Sequence, residues 1–393
     1  PYLMNRSLLV LGFCFTVLQN LNAQEVEGRP ITTGVPFLAI AADARAAGMG
    51  DQGVATRPDA YAQQWNPAKY AFIEKQQGVG FNYTPYLSQI VDDIFLGQIT
   101  YFNRINDRSA FAGSLRYFSL GDIESIQSSN PSQAELENPL ILSPNEFTLD
   151  VSYALRLGDR FSMAVAGRYL RSNLKLQIND EDASAASSIG VDIAGFYQSE
   201  EISYDDFNGR WRAGFNISNI GPKIKYDEAG QENFIPTNMR LGGGFDFILD
   251  AYNVIGVGLE FNKLLVPSPQ DFNGDGVIDG SDTEEYQAIG FFEGMFQSFG
   301  DAPNGISEEI KEVTWSLGAE YKYDNAFALR AGYFNESDLK GARKFAALGL
   351  GFRYSAIDID VSYLFSTTQV RNPLENTLRF GITFNFGNEY IEY

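Results

Sequence analysis

From Gln77 onward one pattern recurs, in which apolar and polar side chains alternate over segments of roughly ten residues, the length of a transmembrane strand. A period of two sends successive side chains to opposite faces of a strand. Within residues 313–323, Val313, Trp315, Leu317, Ala319, Tyr321 and Tyr323 share one face, and Thr314, Ser316, Glu320 and Lys322 share the other. From Ile357 the pattern returns, with Ile357, Ile359, Val361, Tyr363 and Phe365 opposed to Asp358, Asp360 and Ser362. The last segment aligns Leu378, Phe380, Ile382, Phe384 and Phe386, ending on an aromatic residue. One apolar and one polar face is what a barrel wall between lipid and a wet lumen needs. Asp358 and Asp360 are therefore expected as solvated lumen groups, not as a catalytic pair.

About fourteen such segments are expected, starting near Val79, Ile94, Phe111, Phe147, Phe161, Ile189, Trp211, Met239, Val254, Val313, Ala326, Phe345, Ile357 and Leu378. Long polar connections are expected at 121–145, 173–187, 221–235 and 264–312, and tight turns at 158–159, 250–251, 324–325 and 355–356. Long loops outside and short turns in the periplasm account for this asymmetry. The reading is an all-β fold, a transmembrane antiparallel β-barrel over residues 77–386 with a tail at 387–393, both termini periplasmic. A soluble β-sandwich is the rival, and it rarely needs strands this long or turns this asymmetric.

Composition narrows the function. The chain has 31 Phe, 21 Tyr and 38 Gly, a mixture suited to strands with aromatic girdles. Its 50 acidic against 29 basic residues give a net charge of -21, which repels phosphate backbones and argues against nucleic acid as a partner. Histidine is absent, removing the usual general base of triads and the imidazole ligand of zinc sites. Residues 1–23 have the form of a secretory signal: Arg6, an apolar run from Leu8 to Leu18, then Leu21-Asn22-Ala23. Cleavage after Ala23 would remove the single cysteine, Cys14, and Phe13 is too bulky for the small residue a lipoprotein signal shows there. No later run of about 18 apolar residues remains, which excludes a helical span.

Residues 24–76 differ from the rest, being rich in small residues. Gly48, Gly50 and Gly53 allow close backbone packing, and Asn66-Pro67 favours a turn. A compact plug inside the barrel is expected, since a solvated linker would carry fewer apolar residues. The run Asp43 to Gly50, with Trp65-Asn66-Pro67-Ala68, resembles the N-terminal hatch of FadL-like outer-membrane barrels. More narrowly, Pro36-Phe37-Leu38, residues 65–72, 115–121 and 144–147 resemble the PorV family of the Bacteroidetes type IX secretion system. Ala42 and Ala47 stand where Pro and Gly are frequent. The resemblance implies a plugged fourteen-stranded barrel in outer-membrane lipid. Such a barrel binds cargo carrying type IX C-terminal domains as it leaves a SprA/Sov-type translocon, and shuttles it to the cell-surface attachment complex. The shared hatch implies an alternative, a channel for hydrophobic small molecules. An enzyme acting on lipopolysaccharide has no support, because no serine or carboxylate dyad is evident.

Two features lie within the longest loop. Asp271, Asn273, Asp275, Asp279 and Asp282 fall at positions 1, 3, 5, 9 and 12 of a calcium-loop frame, with Gly276 at position 6 and the Val277 carbonyl at position 7. Asp282 replaces the usual Glu, and Pro267 and Pro269 exclude an entering helix. The expectation is a structural calcium ion, with an acidic solvated turn as the alternative. Beyond it, Tyr286, Ile289, Phe292, Met295, Phe296 and Phe299 recur at helical spacing and predict an amphipathic helix. Its apolar face is expected either to pack on the barrel rim or to dock a protein partner.

Overall fold

The computed structural model describes residues 28–87, 91, 93–125, 139–174, 185–226, 231–278, 280–368 and 373–390. The signal segment with Cys14 lies outside the described residues, as does Asp279. The chain forms β1 (Lys75–Pro85), β2 (Ile94–Arg104), β3 (Ser109–Leu120), a small hairpin of β4 (Ile123–Ser125) and β5 (Leu140–Leu142), β6 (Asn145–Arg156) and β7 (Phe161–Asn173). It continues with β8 (Ala186–Gln198), the short β9 (Ile202–Ser203), β10 (Asn208–Ile220), β11 (Asn238–Ile248) and β12 (Asn253–Leu264). The last five are β13 (Thr314–Tyr323), β14 (Phe327–Asn335), β15 (Lys344–Tyr354), β16 (Ile357–Ser366) and β17 (Leu378–Glu389). Without β4, β5 and β9, the other fourteen form one closed antiparallel wall, sealed where β1 pairs with β17. Each begins within four residues of its expected position. Among the described residues no helix is long and apolar enough to cross a membrane.

The two mouths differ. The connections after β2, β6, β11, β13 and β15 are tight, and Asp324 and Asn325 both take positive φ (51° and 49°), the twist a two-residue hairpin needs. The β8–β10 connection, nine residues carrying β9, lies at this mouth too, while the strands joined by 86–93, 121–144, 174–185, 221–237, 265–313, 336–343 and 367–377 end at the other mouth. The last strand runs past Phe386, and Glu389 pairs with Lys75 at the short-turn mouth.

Alternation along the strands is inside-out relative to a soluble protein. On β7, Val165 and Tyr169 are exposed while Ser162, Arg168 and Ser172 are buried. On β13, Leu317 and Tyr323 are exposed while Ser316 and Glu320 are buried. The lumen is less wet than alternation implies. Arg330 Nη1 donates to Asp360 Oδ1 at 2.6 Å, and Asp358 is held by Arg353 and, at 3.0 Å, by Asn385 Nδ2. The reason is that residues 35–74 fill the barrel, so lumen charges find protein partners in place of water.

This plug is a string of single turns: 3-10 turns at Pro36–Ala39 and Pro67–Phe72, and helical turns at Ala44–Ala47 and Ala62–Trp65. Asp43 caps the first helical turn, accepting from Ala46 N at 2.7 Å. Asn66 caps the second 3-10 turn, accepting from Ala68 N at 3.1 Å, with Pro67 at its first position. Upstream, Gly34 N donates to Phe234 O (2.8 Å) and Arg29 N to Leu339 O (2.6 Å), both acceptors in long connections. The plug thus runs through the lumen once, from the long-loop mouth to β1. This corrects the expectation that both termini lie on the periplasmic side: the described N-terminal residues and the end of β17 occupy opposite mouths.

Candidate functional site

The plug is tied to the wall by charge. Arg45 donates to both oxygens of Glu320, each at 3.2 Å, and also pairs with Asp59. Arg330 Nε reaches the same Glu320 at 2.7 Å. Glu260 accepts from Gly53 N and Val54 N at 2.7 and 2.8 Å, and Arg379 Nη1 donates to Asp51 at 3.2 Å. The hatch residues singled out in the sequence all serve this seating. The Trp65 indole donates to Asp43 Oδ2 at 2.6 Å beneath the Arg240 guanidinium, 5.1 Å from the ring centre. Asn66 Nδ2 donates to Val54 O and Gly195 O. A Cβ on Gly48 would lie 2.9 Å from Gly349 Cα, and one on Gly50, whose φ is +78°, 2.8 Å from Tyr333 N. Between the plug and the long-loop mouth remains a chamber of about 370 Å³ with mixed walls, apolar at Leu38, Tyr86 and Phe345 and charged at Asp51, Glu336 and Arg343.

Connection 265–313 is held on the rim by a cluster that the sequence did not flag. Lys263 Nζ lies 2.7 Å from Glu309 and 2.6 Å from Glu312; Lys340 Nζ lies 2.8 Å from Glu308 and 2.9 Å from Glu312. Arg29 joins at 3.3 Å from Glu308. Among the described residues, Asp301, Glu309 and Glu312 bring carboxylate oxygens close enough for a cation, but Lys263 already supplies the positive charge. Burial pushes the Asp301 carboxyl up to about 6. The sequence signal for this cluster is Lys263, a cation near the end of β12.

The expected helix is broken in two. Two short helices, Thr283–Ala288 and Phe291–Gln297, are separated by Ile289 and Gly290 in extended conformation. Gly290 carries no side chain to favour helix, and a Cβ there would have no neighbour to pack on. The rim is contacted by the small residues of the second helix. Gly294 and Ser298 are buried, with Gly294 against Pro267 and Phe234. Tyr286 is half-buried, donating to Pro267 O at 3.0 Å and packing edge-on to Phe234; Ile289 and Met295 are half-buried too. Phe292, Phe296 and Phe299 are exposed, Phe296 at 75%, and so are Ile306 (80%) and Ile310 further along the same connection.

The acidic loop curls on itself. Asp271 accepts from Gly274 N at 2.6 Å and Gly276 N at 2.8 Å, Asn273 Oδ1 from Asp275 N at 2.8 Å, and Asp275 Oδ1 from Val277 N at 2.8 Å. Asp282 Oδ1 folds back to Phe272 N at 2.8 Å, and Gly274 and Gly276 hold φ of +78° and +89°. Side-chain oxygens from positions 1, 3, 5 and 12 thus each accept from backbone N–H groups of the same turn, and among the described residues the carboxylates close enough to share an ion are Asp301, Glu309 and Glu312, not those of this loop.

Comparison with known proteins places the chain. Solved structures similar to it include the P. putida toluene transporter TodX (13% identity, TM-score 0.48, covering 92% of this chain and 99% of that one). The Ralstonia pickettii toluene transporter TbuX is similar at 12% identity and TM-score 0.46, covering 92% and 100%. A Pseudomonas aeruginosa FadL homologue is similar at 14% identity and TM-score 0.41, also covering 92% and 100%. No curated protein matches the sequence. The family model described as "Type IX secretion system protein PorV" matches residues 22–271, more than half of the chain. The chain, a closed fourteen-stranded barrel with a plugged lumen, belongs to the PorV family of type IX secretion system proteins.

Proposed function

We propose that this barrel is a docking and shuttle component of type IX secretion. It takes cargo bearing the C-terminal signal domain from a SprA/Sov-type translocon and passes it to the surface attachment complex, with its long loops on the cell surface. The observation that carries the reading, beyond family membership, is the contrast between a lumen filled by ion-paired plug and a rim that presents Phe292, Phe296, Phe299, Ile306 and Ile310 to the outside. Exposed apolar patches of this kind mark protein contacts. Affinity purification from native membranes is the test. Recovery of a very large outer-membrane protein or of signal-domain cargo, reduced by Phe292→Ser with Phe296→Ser, is the expected result. Co-purified fatty acids with neither partner would instead favour the second reading, a channel for hydrophobic small molecules, for which the chamber between plug and long-loop mouth leaves room.

The loop 271–282 is proposed to hold a structural calcium ion, with Asp271, Asn273, Asp275, Asp282 and the Val277 carbonyl as ligands. Asp279, the ninth position, lies outside the described residues. Bound calcium would fix the start of the rim segment that carries the aromatic patch. Chelator should speed proteolysis of this loop in the wild type, and Asp271→Ala with Asp275→Ala should reproduce that rate without chelator. Equal rates throughout would remove the assignment.

A further inference from the structure

At the short-turn mouth, beneath the plug, lies a second cavity of about 290 Å³ whose walls include Arg57, Arg210 and Lys322. Cations here outnumber the carboxylates that serve them. Asp246 on β11 accepts from Arg57 Nε at 3.0 Å and from Arg212 Nη2 at 2.8 Å, and Arg210 stands directly across the β10–β11 pairing from it. Arg57 Nη2, Arg210 Nε and Arg212 Nε are buried N–H groups with no acceptor among the described residues. Lys322 has Glu320 at 3.7 Å, a carboxylate already held by Arg45 and Arg330. The remaining acids are engaged elsewhere: Asp358 with Arg353, Asp360 with Arg330, Asp59 with Arg45 and Lys69, and Glu201 accepting from Asn208 Nδ2 at 2.7 Å.

In a chain of net charge -21, this walled cavity has near-balanced charge and buried guanidinium N–H groups without an acceptor among the described residues. Buried N–H groups of this kind require an acceptor, and the planar guanidinium fork matches an oxyanion better than any neutral group. We propose that the short-turn mouth is an oxyanion-binding site, in which Arg57, Arg210 and Lys322 take a carboxylate or a phosphate group and Arg212 supports them from behind. The site is independent of the aromatic rim and of the loop at 271–282, since it lies at the opposite mouth.

The test uses the full-length barrel purified in a non-ionic detergent, titrated calorimetrically with inorganic phosphate and, separately, with acetate at constant ionic strength. Saturable binding is expected. Binding of phosphate alone assigns the site to phosphate esters, and binding of acetate assigns it to the carboxylates of peptide chains. Arg210→Gln with Lys322→Gln should weaken binding by about tenfold or more, while Arg210→Lys, which keeps the charge and loses the fork, should fall between. Heat-modifiable gel mobility confirms that each variant is folded. Absence of saturable binding of both anions to the wild type, or unchanged binding by the folded double variant, overturns the proposal; the wild-type titration decides if that variant does not fold.

Discussion

At Gly332 the wall carries a hydrogen where any other residue would carry a Cβ, and that hydrogen lets the Met49–Gly50 backbone lie against β14. A Cβ at Gly332 would stand 2.0 Å from the Met49 carbonyl carbon. Gly332→Ala should therefore lift this part of the plug and cost about 1–3 kcal/mol, the usual penalty for overpacking. The expected readings are a lower unfolding midpoint and faster proteolysis within residues 44–57. Glu320→Gln acts by charge instead, leaving Arg45 and Arg330 with less anion in a buried place, and about 3–5 kcal/mol is expected from breaking such a network. The sequence made one side of each contact legible. Gly48, Gly50 and Gly53 announce close approach within the plug, but their partners on the wall do not stand out. Period-two alternation tells which face a residue takes and says nothing of the height at which the plug will meet it.

At the scale of elements, the long rim segment is the part whose attachment depends on titratable groups. Burial alone would raise the carboxyls of Glu308 and Glu312, but hydrogen bonds and charge from Lys340 and Lys263 outweigh it and leave both below their ordinary value. A depressed carboxyl stabilises fully above its unfolded value and loses that contribution as the pH falls through the folded one. Asp301 works oppositely: raised to about 6, its ionised form is disfavoured in place, so acidification relieves it first. Limited proteolysis of residues 265–313 should stay slow from neutral pH to about 5 and accelerate only below the ordinary glutamate range near about 4.3. Acceleration between pH 7 and 5 would contradict this assignment. Elements were legible wherever alternation was strong, which is why the fourteen wall strands were placed closely. Spacing does not reveal the break at Ile289–Gly290 in the rim helix, and it leaves open which face is buried. Small residues, Gly294 and Ser298, allowed closer approach to Pro267 and Phe234 and left the rings outside.

Across the whole molecule, the arm at Gly28–Gly34 and the end of β17 lie at opposite mouths, a relation that no local pattern in the sequence reveals. With the long loops on the cell surface, a cysteine introduced at Gly28 should react with a membrane-impermeant maleimide on intact cells. Protection there, with labelling only after lysis, would reverse the assigned orientation. The route of residues 35–74 also constrains the order of assembly. The plug continues without interruption into β1, and β1 closes the wall against β17, the last strand made. Had the wall sealed first, the leading segment would have to be threaded through a finished ring, a passage that folding chains avoid. Strands that wrap around a leader already in place avoid that passage; on this order the barrel is cast around its stopper, and a defect in seating residues 35–74 should appear as a failure of closure.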